Sequence, residues 1–309
     1  MKKYKRFFVS MFITVFVLSG IVIAIIVSSG PKSTYSTSAY VAVSNGTGII
    51  QENSFDILSC TNEEDEFQLE IRSGSGEERM LKFEISFLVN YEQTYFYLND
   101  SKEPVRNYIF SGQDEFKIRI DKSSFDLKNN QLIINIRQDI EVTSKSNELV
   151  RDSNTINLRY NVINSEKTKE SNHDIYIVDT IENYDPAEGA GVVCQIRCVN
   201  REDQALIKIA KNEDLKMQLE VGGSTSAGEY VVIAYLNSEQ TEIDNKSNLY
   251  LEVDKNSIGM KQVEITMPRE SGEYELEVFV IPLPFDYIDS DAILQYNVVS
   301  AQRYTIEVE

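Results

Sequence analysis

Apolar and polar residues alternate with a period of two over most of the chain beyond residue 39. The segments EFQLEI (66–71), LKFEISFLV (81–89) and FKIRI (116–120) place an apolar residue at every second position. The same holds later in LKMQLEV, EYVVIAYL, NLYLEV, YELEVFV and RYTIEV. Such alternation directs apolar side chains to one face of a sheet. Turn-forming clusters such as NGTG and SGSGEE separate the runs, so the pattern predicts an all-β protein built of sandwiches.

One segment also has some helical character. QALIKIAKNEDLKM (204–217) places apolar residues at spacings that fit a helix as well as strands. Its apparent counterpart in the first half of the chain alternates strictly. We therefore predict strands here too.

A repeated phrase indicates an internal duplication. CTNEEDEFQLEI at 60–71 and CVNREDQALIKI at 198–209 share five of twelve residues, beginning with Cys60 and Cys198. Three further pairs occur in the same order, namely Leu81-Lys82 with Leu215-Lys216, Tyr97-Leu98-Asn99 with Tyr235-Leu236-Asn237, and Asp121-Lys122 with Asp254-Lys255. Ordered landmarks of this kind are typical of a duplicated domain.

The repeat predicts two tandem homologous β-sandwich domains, at 39–164 and 173–309, joined by a linker at 165–172. We describe them as immunoglobulin-like by architectural analogy only, because the Cys…Trp…Cys pattern of antibody domains is absent from a chain without tryptophan. Each domain is long enough to bury its own core.

The N-terminus differs from the rest of the chain. A basic tail, MKKYKR (1–6), precedes an uncharged apolar run at 7–27, and a linker at 28–38 follows. A run of that length fits a single transmembrane helix across about 30 Å of hydrocarbon. The basic tail predicts a cytoplasmic N-terminus, with the bulk of the chain extracytoplasmic. A cleaved signal peptide is the alternative, although the run is long and no small-residue cleavage site follows it directly.

The chain is strongly acidic, with a net charge of −19, and no Asp or Glu precedes residue 30. A surface of this sign repels nucleic acid and anionic lipid headgroups. It suits cations or basic proteins, or simply keeps the chain soluble through solvated acidic faces.

Three cysteines do not indicate a disulfide scaffold. Cys194 and Cys198 share a strand face about 13 Å apart if VVCQIRC is extended, whereas a disulfide needs Cα atoms within about 7 Å. We predict small buried apolar side chains. The alternatives are a tether to a neighbouring chain through Cys60 or Cys198, and a zinc site from Cys194, Cys198 and His173 that strand geometry disfavours.

Catalytic chemistry has no visible motif. His173 is the only histidine and lies beside the predicted linker, where we expect a solvated side chain. No nucleophile elbow, phosphate-binding loop or metalloprotease motif is present in the sequence. We predict that the protein is not an enzyme and has no cofactor. An extracellular hydrolase with an unmarked carboxylate pair is the third alternative for the function.

A calcium site is the best of the metal hypotheses. Asp286, Asp289 and Asp291 lie close together in PFDYIDSDA, and calcium takes several hard oxygen ligands from flexible loops. The loop lacks the spacing of an EF-hand, and polar turns contain aspartate for other reasons.

The sequence predicts a membrane-anchored, extracytoplasmic, non-catalytic binding or scaffold protein of the cell surface. Its partner would be a protein or a cell-envelope polymer. The alternative is an accessory subunit of a membrane export, envelope-assembly or polymer-synthesis complex, with a membrane partner bound through residues 7–27.

Overall fold

The computed structural model describes the greater part of the second compact unit of the chain, Ala39–Glu309. The described ranges are 39–44, 49–50, 57–59, 66–75, 82–111, 115–138, 155–170, 174–177, 192–199, 206–223, 228–284, 298–300 and 303–309. Their regular structure is β-strand, apart from one 3-10 turn at Lys122–Ser124. The prediction of an all-β fold is confirmed. In these ranges no helix has the length and apolar character to cross a membrane, and the predicted anchor at 7–27 lies outside them.

The first sandwich packs two sheets together. One has the strand order β2-β1-β4-β9-β7, and the other has β3-β11-β10-β5, with β6 and β8 both beside β5. The strands are β1 Ala39–Ser44, β2 Ile49–Ile50, β3 Ile57–Ser59, β4 Glu66–Ser75, β5 Lys82–Val89, β6 Glu92–Gln93, β7 Tyr97–Leu98, β8 Asn107–Ser111, β9 Glu115–Asp121, β10 Asn129–Gln138 and β11 Thr155–Ile163.

The second sandwich has one small and one large sheet. The small sheet has the order β13-β15-β19, and the large one has β12-β18-β16-β20-β22-β14, with β17 beside β16 and β21 beside β20. The strands are β12 Ile175–Ile177, β13 Val192–Cys198, β14 Leu206–Ile209, β15 Leu215–Gly223, β16 Glu229–Leu236, β17 Glu239–Thr241, β18 Leu249–Glu252, β19 Ile258–Ile265, β20 Gly272–Pro282, β21 Val299–Ser300 and β22 Tyr304–Val308. Where it is described, the segment 204–217 forms β14, a turn between Ile209 and Leu215, and the start of β15, so strands replace the possible helix, as predicted.

The two sandwiches have the same strand order. The row β1-β4-β9 corresponds to β13-β15-β19, and the row β3-β11-β10-β5-β8 corresponds to β14-β22-β20-β16-β18. The parallel pair at the corresponding end of the larger sheet also recurs, since β3 is parallel to β11 and β14 is parallel to β22. This arrangement is that of an immunoglobulin-type sandwich. The predicted limits of the two domains stay a prediction.

The strand order repeats in the two sandwiches, but the residue pairs that the sequence analysis matched do not lie on corresponding strands. Cys198 ends β13, whereas β3, the strand just before Cys60, corresponds to β14. Likewise Asp121 ends β9, which corresponds to β19, and not to β18 before Asp254. The shared letters are turn-forming residues, which recur between strands for local reasons.

The true repeat lies in two matching hairpin turns. NYEQT at 90–94 follows β5, and NSEQT at 237–241 follows β16. The central residues of both turns have positive φ, at 52° and 71° in the first and 49° and 66° in the second. Two successive residues of this kind form the type I′ turn that suits a hairpin.

Each sandwich has its own apolar core, and a third cluster joins them. The core of the first contains buried residues from Phe67 to Val162. That of the second contains buried residues from Cys194 to Val308. The third cluster draws on both sandwiches and lies between their larger sheets. It contains Leu88, Tyr91, Ile133, Val231, Ile233, Tyr235, Tyr250, Phe279 and Ile281.

Candidate functional site at the junction of the sandwiches

The junction consists of the outer faces of the two larger sheets. Residues 131–137 of β10 are all buried, and so are residues 230–236 of β16. Alternate side chains of these strands enter their own sandwich core, and the others face the junction, where Ile133, Val231, Ile233 and Tyr235 belong to the shared cluster. A face that the alternating pattern would assign to solvent is therefore covered by the other sandwich.

Two glutamines mark a local two-fold relation across the junction. The Gln93 N–H donates to Oε1 of Gln240 at 2.6 Å, and the Gln240 N–H donates to Oε1 of Gln93 at 2.8 Å. Both residues occupy the same place after the matching turns. Because equivalent atoms exchange equivalent hydrogen bonds, the sandwiches face each other as the halves of a symmetric dimer do.

A largely buried ionic network lies beside this contact. Arg137 of β10 binds Glu275 of β20, with 2.7 Å between Nη2 and Oε2. Its Nη1 lies 3.4 Å from Oε2 of Glu84 on β5. The hydroxyl of Ser238 donates to Glu84 and accepts from Arg137. Side chains of the first sandwich thus pair with side chains of the second.

The network continues into the second sandwich through Arg303. Its Nη1 lies 3.1 Å from Oε1 of Glu275, and its Nη2 lies 3.4 Å from Oε2 of Glu277. Only 7% of the Arg303 side chain and 4% of the Glu277 side chain are exposed. Glu275 bridges both arginines, so each buried charge has an opposite charge as a neighbour, as burial requires.

Arg159 occupies the place in the first sandwich that Arg303 has in the second, since each precedes a tyrosine paired with the corresponding strand. It crosses the junction to donate to the carbonyls of Pro282 at 2.8 Å and Leu283 at 2.7 Å. The hydroxyl of Tyr91 donates to the carbonyl of Pro284. Backbone acceptors at the end of β20 are thereby satisfied by the other sandwich.

A cavity of about 10 Å³ lies within the network, which is about the space of one water molecule. Small-molecule sites are usually roughly 300–1,000 Å³. The arrangement therefore holds the two sandwiches together and leaves no room for an organic substrate. Its lining residues are Ser86, Asn135, Arg137, Tyr235, Ser238, Glu275 and Glu277.

Sequence reasoning missed this junction, although three signals were present. The pairs Arg159-Tyr160 and Arg303-Tyr304 repeat, as do the two EQT turns. The stretch VVIAYL at 231–236 is also continuously apolar, which is typical of a strand buried on both faces.

The predicted site residues fall mostly outside the described ranges. The structure does not describe Asp286, Asp289 and Asp291, so the calcium site stays a prediction. Cys60 and His173 also lie outside the described ranges. Among the residues that are described, no three His, Cys, Asp or Glu side chains group as metal ligands.

Cys194 and Cys198 are both free thiols, as predicted. Cys194 is buried in the second core, and Cys198 is half-buried beside it. Burial raises the pKa of the Cys194 thiol far above its ordinary value. It therefore behaves as a small apolar residue.

We expect stability to fall at alkaline pH because of this thiol. Its folded pKa is raised, so the stabilisation is complete below the unfolded value of about 8.5 and declines by about 1.4 kcal/mol per pH unit above it. Burial also raises the pKa of Tyr235, which should steepen the decline above about pH 10. Urea unfolding across this range is expected to give a flatter profile for Cys194→Ala than for the unsubstituted chain. Equal slopes would contradict the assignment.

The chain is thus an all-β protein of two sandwiches fixed face to face. No protein-family model matches the sequence, and no curated protein matches it. Among solved structures, a CARDB domain of the PF1109 protein from Pyrococcus furiosus aligns with 39% of this chain and 89% of its own, at 10% identity and a TM-score of 0.27. CBD12 from CALX1.2 aligns with 81% of this chain and 96% of its own, at 10% identity and a TM-score of 0.21.

The periplasmic chaperone SfaE aligns with 87% of this chain and 100% of its own, at 10% identity and a TM-score of 0.23. These similarities are too low to identify a relative, and they carry no argument about function.

Proposed function

We propose that this chain is a membrane-anchored, extracytoplasmic, non-catalytic binding or scaffold protein. One observation carries the binding role. The polar cluster at the junction is the best candidate site among the described residues. Its side chains bind one another across the junction and hold the two sandwiches together. Its carboxylates bind arginines, and its cavity admits about one water molecule. Recognition is then left to the surface.

The rigid junction supports a scaffold role. Two sandwiches that share an apolar cluster and a buried ionic network present their loops and edges at a fixed relative angle. Exposed strand edges and loops are the parts of sandwiches that bind partners. A fixed geometry lowers the entropic cost of binding through two places at once.

The location rests on the sequence. The apolar run at 7–27 and the basic tail at 1–6 support a single-pass anchor with the N-terminus in the cytoplasm. The acidic character of the remainder is compatible with a solvated exterior and disfavours nucleic acid as the partner.

Crosslinking on intact cells tests the proposal. A lysine-reactive crosslinker that cannot cross the membrane is added, and the full chain is purified and examined by mass spectrometry. Crosslinks from residues 39–309 to wall polymer or to surface proteins are expected. Protection of these lysines until the cells are lysed would overturn the location.

A helix exchange separates the binding protein from an accessory subunit. Residues 7–27 are replaced with an unrelated apolar helix of equal length. A surface binder keeps its crosslinked partners, because its exterior is unchanged. Loss of a membrane-protein partner from the exchanged chain would favour the accessory subunit of a membrane complex.

A further inference from the structure

The two sandwiches differ at one pair of corresponding strand edges. In the second sandwich, β12 covers the outer edge of β18 as a parallel strand, with Ile175, Tyr176 and Ile177 beside Tyr250, Leu251 and Glu252. The first sandwich has the corresponding strand, β8, beside β5. Among the described strands, β5 is the only one that pairs with β8. Among the described residues, the first sandwich therefore has an open edge where the second carries an added strand.

Ile109 lies at the centre of this open edge. It pairs with Glu84 of β5, and Tyr250 pairs with Val231 of β16, at the same distance before the matching turns. Tyr250 is 6% exposed because it lies in the shared cluster at the junction, whereas Ile109 is 53% exposed. The outer backbone N–H and C=O groups of a strand edge are a template for a further strand, and an exposed apolar side chain beside them adds surface that the new strand can bury.

The strand β12 offers a second such edge. No described strand pairs with it other than β18. Tyr176 turns towards Lys246, whose Nζ lies 4.6 Å from the ring centre, while Ile177 is 86% exposed. The outer side of β12 is therefore apolar and accessible in the part of the chain that is described.

The two edges are complementary in a parallel register. Set side by side, Arg106 meets Asp174, and Ile109 meets Ile177. Both charged residues are exposed and opposite in charge, although Asp174 also lies 3.8 Å from Lys246 and Arg106 lies over the Tyr95 ring. The faces also agree: Ile109 and Ile177 lie on the face away from the sandwich core, while Tyr108 and Tyr176 lie on the other face, because alternate residues of a strand share a face.

We propose that β8 of one copy of this chain binds β12 of a second copy as a parallel added strand. The contact joins the larger sheet of the first sandwich in one copy to the large sheet of the second sandwich in another copy. Since the two edges are different surfaces, the contact is heterologous, and successive copies join head to tail.

The contact is small and therefore weak. A pair of strands this short buries far less than the roughly 1,200 Å² of a standard stable interface. We expect it to form at high local concentration and to be trapped best by a covalent link. It does not require the membrane anchor, so its failure would leave the proposed location untouched, and failure of that location would leave the contact intact.

Engineered cysteines test the register. One full-length chain carries Ile109→Cys and a differently tagged one carries Ile177→Cys, both with Cys60 and Cys198 changed to serine. After purification in detergent, the two are mixed and mildly oxidised. We expect a mixed disulfide dimer, because parallel neighbours bring their Cα atoms within the distance that a disulfide needs. A Gln262→Cys chain, exposed on the small sheet, is the matched control and should not link to Ile109→Cys.

Two outcomes overturn the proposal. Linking of the Ile109→Cys chain to itself alone would mean a two-fold contact between β8 strands. Linking of the mixture no faster than the Gln262→Cys control would mean that the edges do not meet.

Sedimentation provides a second measurement without cysteines. The full chain in detergent is expected to form a concentration-dependent series of oligomers. Ile109→Lys and Ile177→Lys should each be monomeric alone, since each has lost one edge. Mixed together, they should form dimers and nothing larger, because each supplies the edge that the other lacks. Monomers in the mixture, or growth of either variant alone, would contradict head-to-tail pairing.

Discussion

Replacing Arg303 with leucine is expected to lower the free energy of unfolding by about 3–5 kcal/mol, because removing one partner leaves a buried charge uncompensated. Glu277, with 4% of its side chain exposed, loses its ion pair, and Glu275 loses one of two. Urea unfolding followed by circular dichroism measures the loss.

The double variant separates the charge from the packing. Arg303→Leu with Glu277→Leu removes both members of the pair, so no unpaired carboxylate stays buried. Because a buried pair is often replaced by apolar residues at little cost, the double variant should be more stable than the single one.

An exposed ion pair is the control for this comparison. Lys169 and Asp126 have 66% and 49% of their side chains exposed, so Lys169→Ala should change stability by less than about 1 kcal/mol. A loss as small as this for Arg303→Leu would show that water reaches the network and would contradict the burial argument.

Replacing Ile233 with aspartate is expected to separate the two sandwiches without unfolding either. Ile233 is 1% exposed and belongs to the shared cluster, not to the core of its own sandwich. Burying a carboxylate there costs several kcal/mol, and opening the junction relieves that cost. Calorimetry should show two unfolding transitions where the unsubstituted chain shows one, and X-ray scattering should show a larger radius.

The neighbouring residue is a matched control. Val232, also fully buried, faces the core of the second sandwich, so Val232→Asp should unfold that sandwich instead of releasing it. Ile233→Val keeps the apolar surface and should cost about 0.5–1.5 kcal/mol. One transition at an unchanged temperature in Ile233→Asp would show that the junction does not couple the sandwiches.

The all-β fold could be predicted because its signal is local. Strict alternation in segments such as LKFEISFLV (81–89) reports a sheet face whatever lies elsewhere. The second sandwich appears in the sequence for the same reason.

The junction could not be predicted in the same way because its signal depends on the partner sheet. The apolar run VVIAYL (231–236) indicates that Ile233 is covered, but it does not identify the sheet that covers it. Arg137 and Arg303 resemble surface residues in the sequence, since a charged side chain is buried only where an opposite charge meets it. That meeting is a property of the fold and is not visible in either segment alone.

The register of the repeat failed for a related reason. Matching Cys60 with Cys198 relied on adjacent Asn, Glu and Asp, which any turn favours. The pairs that do correspond, such as Gln93 with Gln240, owe their identity to a contact between the two sandwiches, and a contact of that kind is legible only after the strands have been placed.

The shared cluster also sets the order of events during synthesis. The first sandwich is complete at β11, yet among the described residues the strands that cover Leu88 and Ile133 lie much later in the chain, such as β20. At about 5–20 residues per second, that apolar face is exposed for on the order of ten seconds on each nascent chain. During that interval, the half-made protein displays the kind of surface that chaperones bind and that drives aggregation. Once the second sandwich has been synthesised and has folded, it covers the exposed apolar face of the first sandwich and so lowers the risk of aggregation.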